Sequence, residues 1–325
     1  GAGLQFLIQL PVVLRVAPTL RFMLPRVDAR AREVVRNFVP AFFGRGVVQI
    51  NAYIDQLIAS FLPLGAVSLL FYAQTIAILP VSLFGMAISA SELPEMSSAT
   101  GDESASAAHV RTRLQGSLAR MAFFVIPSAA AFVLLGDVIA AALYQHGRFT
   151  MLDTRYTWGI LAAAGVGLMA STMGRLYSSA FYALRDTQTP LRFALVRVAL
   201  AAIGGYALAM HLPGALGLAP EWGTAALALS SAIAGWVEFT LLRTRLNARV
   251  GLTGLSGRLV VTLWGAALAS GAIAFGIKAA VGDAHRMLLA TAVLGVFGVA
   301  YFALTAAAGV DTSIATLRRA RSLFT

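Results

Sequence analysis

Long apolar segments recur along the chain and alternate with short loops that are rich in arginine. An α-helix rises about 1.5 Å per residue, so about 20 apolar residues cross a hydrocarbon core of roughly 30 Å. The pattern predicts eight membrane-spanning helices, which are Phe38–Phe61, Val67–Leu93, Leu118–Leu135, Trp158–Ala183, Leu191–Leu212, Thr224–Leu242, Leu259–Val281 and Met287–Val310. We therefore expect an all-α polytopic membrane protein built as a helical bundle.

Three places depart from this simple pattern. Pro80 lies inside the long second span and predicts a kink there. The apolar run Val138–Tyr144 follows Gly136 and Asp137 and is too short to cross a bilayer, so we expect it to lie in the interface or to re-enter. The segment Pro94–Arg120 changes from small polar residues to basic ones. It indicates an interfacial helix leading into the next span, with ordinary topogenic charge as the alternative.

The composition supports a membrane protein and excludes several kinds of site. Hydrophobic residues make up 58% of the chain and charged residues 12%, whereas soluble domains carry about 25% charged residues. The lack of cysteine excludes disulfides and Cys-ligated metals. The four histidines show no metal-ligand spacing, and no glycine loop carries the lysine that binds nucleotide phosphates. We expect no metal, no cofactor and no enzymatic activity.

Basic residues are distributed unevenly between alternate loops. Of the 25 basic residues, 24 are arginine; 19 fall on one side of the predicted membrane and four on the other. Cytoplasmic loops carry the excess of Lys and Arg in membrane proteins. The bias predicts that the richer side, together with the C-terminus, is cytoplasmic. It also accounts for the net charge of +11 without a nucleic-acid partner.

The beginning of the chain predicts a helix that starts upstream. Residues 1–14 are apolar but have no Met, no basic start and no signal-peptide cleavage motif. We expect them to be the end of a truncated transmembrane helix, followed by a basic cytoplasmic linker at 15–37. Residues 38–246 then form a unit of six helices, and residues 247–325 form two additional helices and a cytoplasmic tail.

The first full span, within Pro40–Phe61, carries four polar residues. These are Arg45, Gln49, Asn51 and Asp55. A charge near the middle of a membrane costs at least about 2.5–3.5 kcal/mol on insertion scales. The helical period places the four residues on one broad face, so we expect them to meet partner helices or a watery cavity. Contacts between helices alone could explain the two amides.

Two further charged residues lie inside later spans. Arg175 is in the cytoplasmic half of the Trp158–Ala183 span and either faces a cavity or snorkels to the headgroups. Glu238 lies near the cytoplasmic end of the Thr224–Leu242 span, and we expect it to pair with Arg243 or to snorkel.

Three stretches of the chain resemble one family of transporters. They are FVPAFFGRGVVQINAYIDQLIASFLPLGAVSLLFYAQTIAILPVSLFGMAISASELPEMS, YQHGRFTMLDT and SSAFYALRDTQTPLRFAL. Together they are similar to the MurJ/MviN lipid II flippases. The resemblance implies two six-helix lobes around a central cavity, with two additional C-terminal helices. This chain would then hold the end of helix six, the whole second lobe and the last two helices. Because the first lobe would be missing, the chain alone is not expected to transport.

The resemblance also implies roles for particular residues. Asp55 matches an acidic position that some relatives link to a bound cation, and Arg175 matches a basic position of the tenth helix. Thr75 stands where the family usually has a cavity-facing Arg, so we expect Arg45 to replace that cation. Arg45 and Arg175, with Gln49 and Asn51, are the predicted substrate-binding residues.

The implied function is flipping of lipid II, the undecaprenyl-pyrophosphate-linked peptidoglycan precursor, across the bacterial inner membrane. Its energy would come from a coupling cation or the membrane potential, but Phe193–Met210 lacks the Asn and Asp that relatives offer to sodium. The expected partners are the lipid-linked precursor, membrane lipids and the first lobe of the same protein. Two alternatives remain: an exporter of other lipid-linked glycans, and a non-transporting scaffold for cell-wall synthesis.

Overall fold

The computed structural model describes residues 50–98, 103–281 and 286–322, and the single residues Leu7, Leu10, Pro11 and Arg15. The chain divides into two units, 1–39 and 40–325, and nearly all of the described residues belong to the second.

Helices joined by short turns make up nearly all of the described part of the chain. They are α1 at 50–59, α2 at Ala66–Ser97, α3 at Glu103–Tyr144, α4 at Met151–Ala183, α5 at Gln188–Ala215, α6 at Gly223–Val250, α7 at Gly257–Val281, α8 at Arg286–Ala307 and α9 at Asp311–Ser322. The helices α2 to α8 are each long and apolar enough to cross a membrane. The described residues contain no strand. The prediction of an all-α polytopic membrane protein is confirmed.

Several helices extend beyond the predicted spans, for local reasons. α4 begins at Met151 because Thr150 and Asp153 form a capping box: the Asp153 carboxylate accepts from the Thr150 N–H at 2.7 Å, and the Thr150 hydroxyl accepts from the Asp153 N–H at 3.2 Å. α6 continues to Val250 because Leu246 and Val250 prolong its buried apolar face into the basic segment.

The run Val138–Tyr144 is the last part of the continuous helix α3, so the expectation that it re-enters the membrane is wrong, whereas its place in the interface stays a prediction. Gly136 does not end the helix. A glycine is needed there for close packing, since a Cβ would lie 2.7 Å from the Trp158 ring. Asp137 is tolerated inside the helix because Lys278 of α7 forms an ion pair with it. Glycine and aspartate thus serve contacts between helices here.

The segment Pro94–Arg120 was predicted to contain an interfacial helix that leads into the next span. From Glu103 onward it is helical and continues directly into the span as the first part of α3, while its position in the interface stays a prediction. Ion pairs hold it beside the end of α2: Arg120 pairs with Glu92, and Arg113 with Glu95.

The backbone of α2 is irregular at the place where a kink was predicted. A π-helical turn, Val81–Met86, follows directly after Pro80. Proline cannot donate a backbone hydrogen bond, and π-turns are a known local response within α-helices. Gly85 in this turn packs against Thr172 of α4, where a Cβ would lie 3.0 Å from the threonine methyl group.

The centre of the bundle is α4, which packs along α3 and α6, while α5 packs against α6. The approach of α4 to α6 is close: a Cβ on Gly167 would lie 2.7 Å from the Cα of Ala232. α7 and α8 pack against each other and against α3. The last two spans are therefore attached to the α3 side of the bundle.

A group of polar side chains fixes the connection between α6 and α7, and we call it the linker cluster. Its members are Tyr177, Asp186, Arg243, Asn247, Arg249 and Thr253.

Thr253 is its centre. The Thr253 hydroxyl bonds to Asn247 and lies 3.0 Å from the Tyr177 hydroxyl, its N–H donates to Asn247 Oδ1 at 3.0 Å, and its carbonyl accepts from Arg243 Nε at 3.2 Å. The connection to α7 is thereby bound to both α4 and α6.

Candidate functional site

A cavity of about 160 Å³ lies among α1, α2, α4, α5 and α6. Most of its wall consists of small or aliphatic residues, contributed mainly by α2, α4 and α6. Its polar lining residues are Asp55, Gln74, Ser171, Arg197 and Ser231. Because most of the neighbouring side chains are small, the two charged residues of the lining, Asp55 and Arg197, border the same open space.

Asp55 of α1 is buried, with 7% of its surface exposed. The Asn51 amide, one turn earlier, donates to Asp55 Oδ2 at 3.2 Å. The Ser231 hydroxyl of α6 lies 3.3 Å from each carboxylate oxygen. The structure thus brings Asn51 and Asp55 together on the inner side of α1. Their roles in binding a substrate or a cation stay predictions.

Arg197 of α5 lines the same cavity and forms an ion pair with Glu238 of α6, with 3.0 Å between Arg197 Nη1 and Glu238 Oε2. Arg197 was counted among the 19 basic residues of the predicted cytoplasmic side, and Arg243 was one expected partner of Glu238. The structure places Arg197 on the third turn of α5, which begins at Gln188, so it lies inside the predicted span Leu191–Leu212 and not in a loop. The pairing is wrong because Arg243 donates instead to the carbonyl of Thr253.

A signal for the Arg197–Glu238 pair was nevertheless present in the sequence. α5 and α6 are consecutive helices joined near Gly217 and Leu218. In an antiparallel helical hairpin, residues equally far from the turn lie at similar depth. Arg197 and Glu238 are separated from this turn by nearly equal lengths of chain, so they were candidates for a pair.

The structure says less about the other predicted site residues. Arg45 and Gln49 lie outside the described residues, so their predicted roles in substrate binding stay predictions. Arg175 is half-buried on α4, one turn beyond Ser171 of the cavity wall. Thr75, where the family usually has Arg, is exposed and donates its hydroxyl to the Phe71 carbonyl of its own helix at 2.8 Å.

A second, apolar groove of about 360 Å³ lies among α3, α4, α5 and α6. Val166, Leu212, Leu216, Trp222 and Leu229 are among the residues that line it, and none of its described lining residues carries a charge. It offers hydrophobic contacts only, in contrast to the polar cavity.

Comparison with known proteins identifies the family. A family model described as "Lipid II flippase MurJ" matches residues 1–294. The chain belongs to the MurJ family. A protein of Rhizobium tropici, named probable lipid II flippase MurJ, is 32% identical over 283 residues, which are 85% of this chain and 50% of the relative. The lipid II flippase MurJ of Burkholderia cenocepacia is 30% identical over 275 residues, 82% of this chain and 51% of the relative.

A solved structure gives the same fold. The chain resembles a lipid II flippase MurJ in an inward closed conformation, with a TM-score of 0.66 and 22% sequence identity, over 92% of this chain and 60% of that one. The chain thus spans about half the length of the curated MurJ relatives that it matches.

Proposed function

We propose that this chain forms the second lobe and the two C-terminal helices of a lipid II flippase of the bacterial inner membrane. The observation that carries the proposal is the MurJ family match over residues 1–294. The seven spans and the polar cavity within the bundle are consistent with it. The arginine bias between the loops supports a cytoplasmic C-terminus.

The substrate would set two physical demands. A pyrophosphate crossing the membrane needs cationic hydrogen-bond donors, for which the planar arginine fork is well suited. Its polar head must also pass through a cavity that opens alternately to the two sides. Arg45 and Arg175, the basic residues that the family resemblance assigns to this lobe's cavity, are the proposed phosphate ligands. Transport of this kind forms and breaks no covalent bond, so the proposed role is that of a carrier and not of an enzyme.

The experiment is complementation by the full-length protein in cells depleted of their own flippase. Lipid II should accumulate on the inner leaflet in depleted cells, and expression of the protein should remove it. Arg175→Ala should reduce this rescue, and Arg175→Lys should restore part of it. Arg258→Ala, at an exposed position in the first turn of α7, is the control and should leave the rescue unchanged.

Two outcomes would contradict the proposal. Accumulation of a different lipid-linked glycan would indicate an exporter of another substrate. Normal lipid II distribution with mislocalised cell-wall enzymes would indicate a scaffold.

A further inference from the structure

Two carboxylates lie close to one guanidinium in the second lobe. Asp55 and Arg197 are the charged members of the cavity's described lining, and Glu238 is the ion-pair partner of Arg197. These three side chains come from three different helices, α1, α5 and α6. A buried carboxylate is stable in its charged form only when cations or hydrogen-bond donors compensate it. One guanidinium therefore has two potential partners.

The two carboxylates are compensated unequally. Glu238 holds Arg197 at 3.0 Å. Asp55 is bonded to the neutral donors Asn51 and Ser231 at 3.2–3.3 Å, at the long end of the hydrogen-bond range. Arg197 lines the same cavity as Asp55, but the two are not in ion-pair contact. Asp55 therefore has capacity for a closer cationic partner.

One N–H donor of the Arg197 side chain is not used in a hydrogen bond among the described residues. Its Nε is buried and has no hydrogen-bond partner among the described residues. Guanidinium groups carry five N–H donors, and one left unpaired in a buried place is unfavourable. The present pairing with Glu238 thus leaves one buried N–H donor of Arg197, at Nε, unsatisfied among the described residues.

The face of α6 between the surroundings of the two carboxylates carries only small side chains. Ser231, which contacts Asp55, and Glu238 are seven residues apart on α6, so they lie on the same face, about 10 Å apart along the axis. Gly235 lies between them and lines the cavity. No large side chain of α6 on this face separates Glu238 from the surroundings of Asp55.

We propose that Arg197 exchanges partners between Glu238 and Asp55 as α1 moves relative to α5 and α6. Arg197 is then a positioning residue: it compensates whichever carboxylate a given conformation leaves without sufficient donors. The two arrangements define two states of the lobe with similar stability, between which the equilibrium is easily shifted. The link to transport rests on the proposed flippase function, whereas the exchange itself does not.

This chain has no native cysteine, so two spin labels can be placed uniquely within it, once any cysteine elsewhere in the full-length protein has been replaced by serine. Leu57→Cys on α1 and Ile233→Cys on α6 are suitable, since Leu57 is 60% and Ile233 50% exposed. Pulsed electron paramagnetic resonance in lipid nanodiscs would give the α1–α6 distance distribution. Glu238→Gln should release Arg197 to Asp55 and shift the distribution. Asp55→Asn should hold Arg197 on Glu238 and give one population, that of the structure described.

The control is Asp186→Asn, which removes an ion pair from the linker cluster and should leave the distribution unchanged. Arg197→Gln should abolish the difference between Glu238→Gln and Asp55→Asn, because no cation remains to be exchanged. Identical distributions for Glu238→Gln and Asp55→Asn in the presence of Arg197 would overturn the proposal.

A second measurement covers the case in which Glu238→Gln does not fold. Asp55→Asn should change the thermal unfolding midpoint by a different amount in wild type and in Arg197→Ala. Equal changes would show that Arg197 and Asp55 are not coupled, and would also overturn the exchange. Because no lipid II is involved, a protein that shifts its distances but flips no lipid II would refute the flippase function and leave the exchange standing.

Discussion

The polar cavity and the linker cluster both place polar side chains inside an apolar helical bundle, but they satisfy them to different degrees. In the linker cluster, the N–H, carbonyl and hydroxyl of Thr253 are all hydrogen-bonded. Around the cavity, Asn51 Oδ1 and Arg197 Nε are buried without a partner in the described part of the chain. A fully satisfied polar network holds one geometry, whereas a partly satisfied one leaves alternatives of similar energy. The linker cluster is therefore suited to holding helices in place, and the surroundings of the polar cavity are suited to a change of conformation.

The largest expected effect comes from removing Arg197, the cation among the described residues of the cavity wall. Arg197→Ala leaves Glu238 largely buried without its ion-pair partner, and breaking a buried pair typically costs about 3–5 kcal/mol. The thermal unfolding midpoint of the purified protein in detergent should fall strongly. Arg197→Ala combined with Glu238→Gln should recover much of the loss, because no unpaired charge remains. A double variant as unstable as Arg197→Ala alone would show that the loss of stability does not come from the unpaired charge of Glu238.

A smaller effect is expected where α4 and α6 are closest. Gly167→Ala places a Cβ 2.7 Å from the backbone of Ala232, and overpacking of this kind costs typically 1–3 kcal/mol. Gly174, seven residues later on α4, offers a matched control, since a Cβ there would meet only a Leu242 methyl group at 4.0 Å. Thermal unfolding should therefore distinguish Gly167→Ala from a well-tolerated Gly174→Ala. Equal midpoints would mean that the helices can separate at the cavity without cost.

The smallest effect concerns an ion pair of the linker cluster and depends on pH. Burial raises the pKa of Asp186, but hydrogen bonds from Thr189 and the guanidinium of Arg249 outweigh it and hold the pKa below its ordinary value of 3.8. A carboxyl group with a lowered pKa stabilises the fold above its unfolded value and loses this contribution as the pH falls through the folded one.

Asp186→Asn should therefore lower the unfolding midpoint modestly at neutral pH, because Asp186 is only partly buried. The gap to wild type should close as the pH falls below about 3.8, the ordinary value. A constant gap across the whole pH series would show that the Asp186 charge makes no contribution.

The sequence was sufficient to predict the all-α fold because a helix that crosses a membrane needs an apolar segment of a fixed minimum length. It was less informative where a polar residue serves a contact between helices. Gly136 and Asp137 were interpreted as the end of a helix, although Trp158 and Lys278 explain both. Such partners lie far away in sequence, so local patterns do not show them.

The candidate site shows the same limit. The burial of Asp55 on the inner side of α1 follows from the cost of charge in a membrane, which the sequence reveals. Arg197 was counted with the loop charges although the predicted span Leu191–Leu212 contains it, because basic residues near the cytoplasmic end of a span add to the same charge bias as the loops do. The hairpin of α5 and α6, once counted from its turn, would have placed Arg197 beside Glu238.

The ion pair between Asp137 and Lys278 gives the molecule a natural chemical reporter. Lys278 is the only lysine of the chain, so it carries the one side-chain amine available to acylating reagents. An amine that is held in an ion pair is less available to the reagent than a free one. The rate of acylation at this residue therefore reports how often the contact between α3 and α7 opens here, without any engineered label.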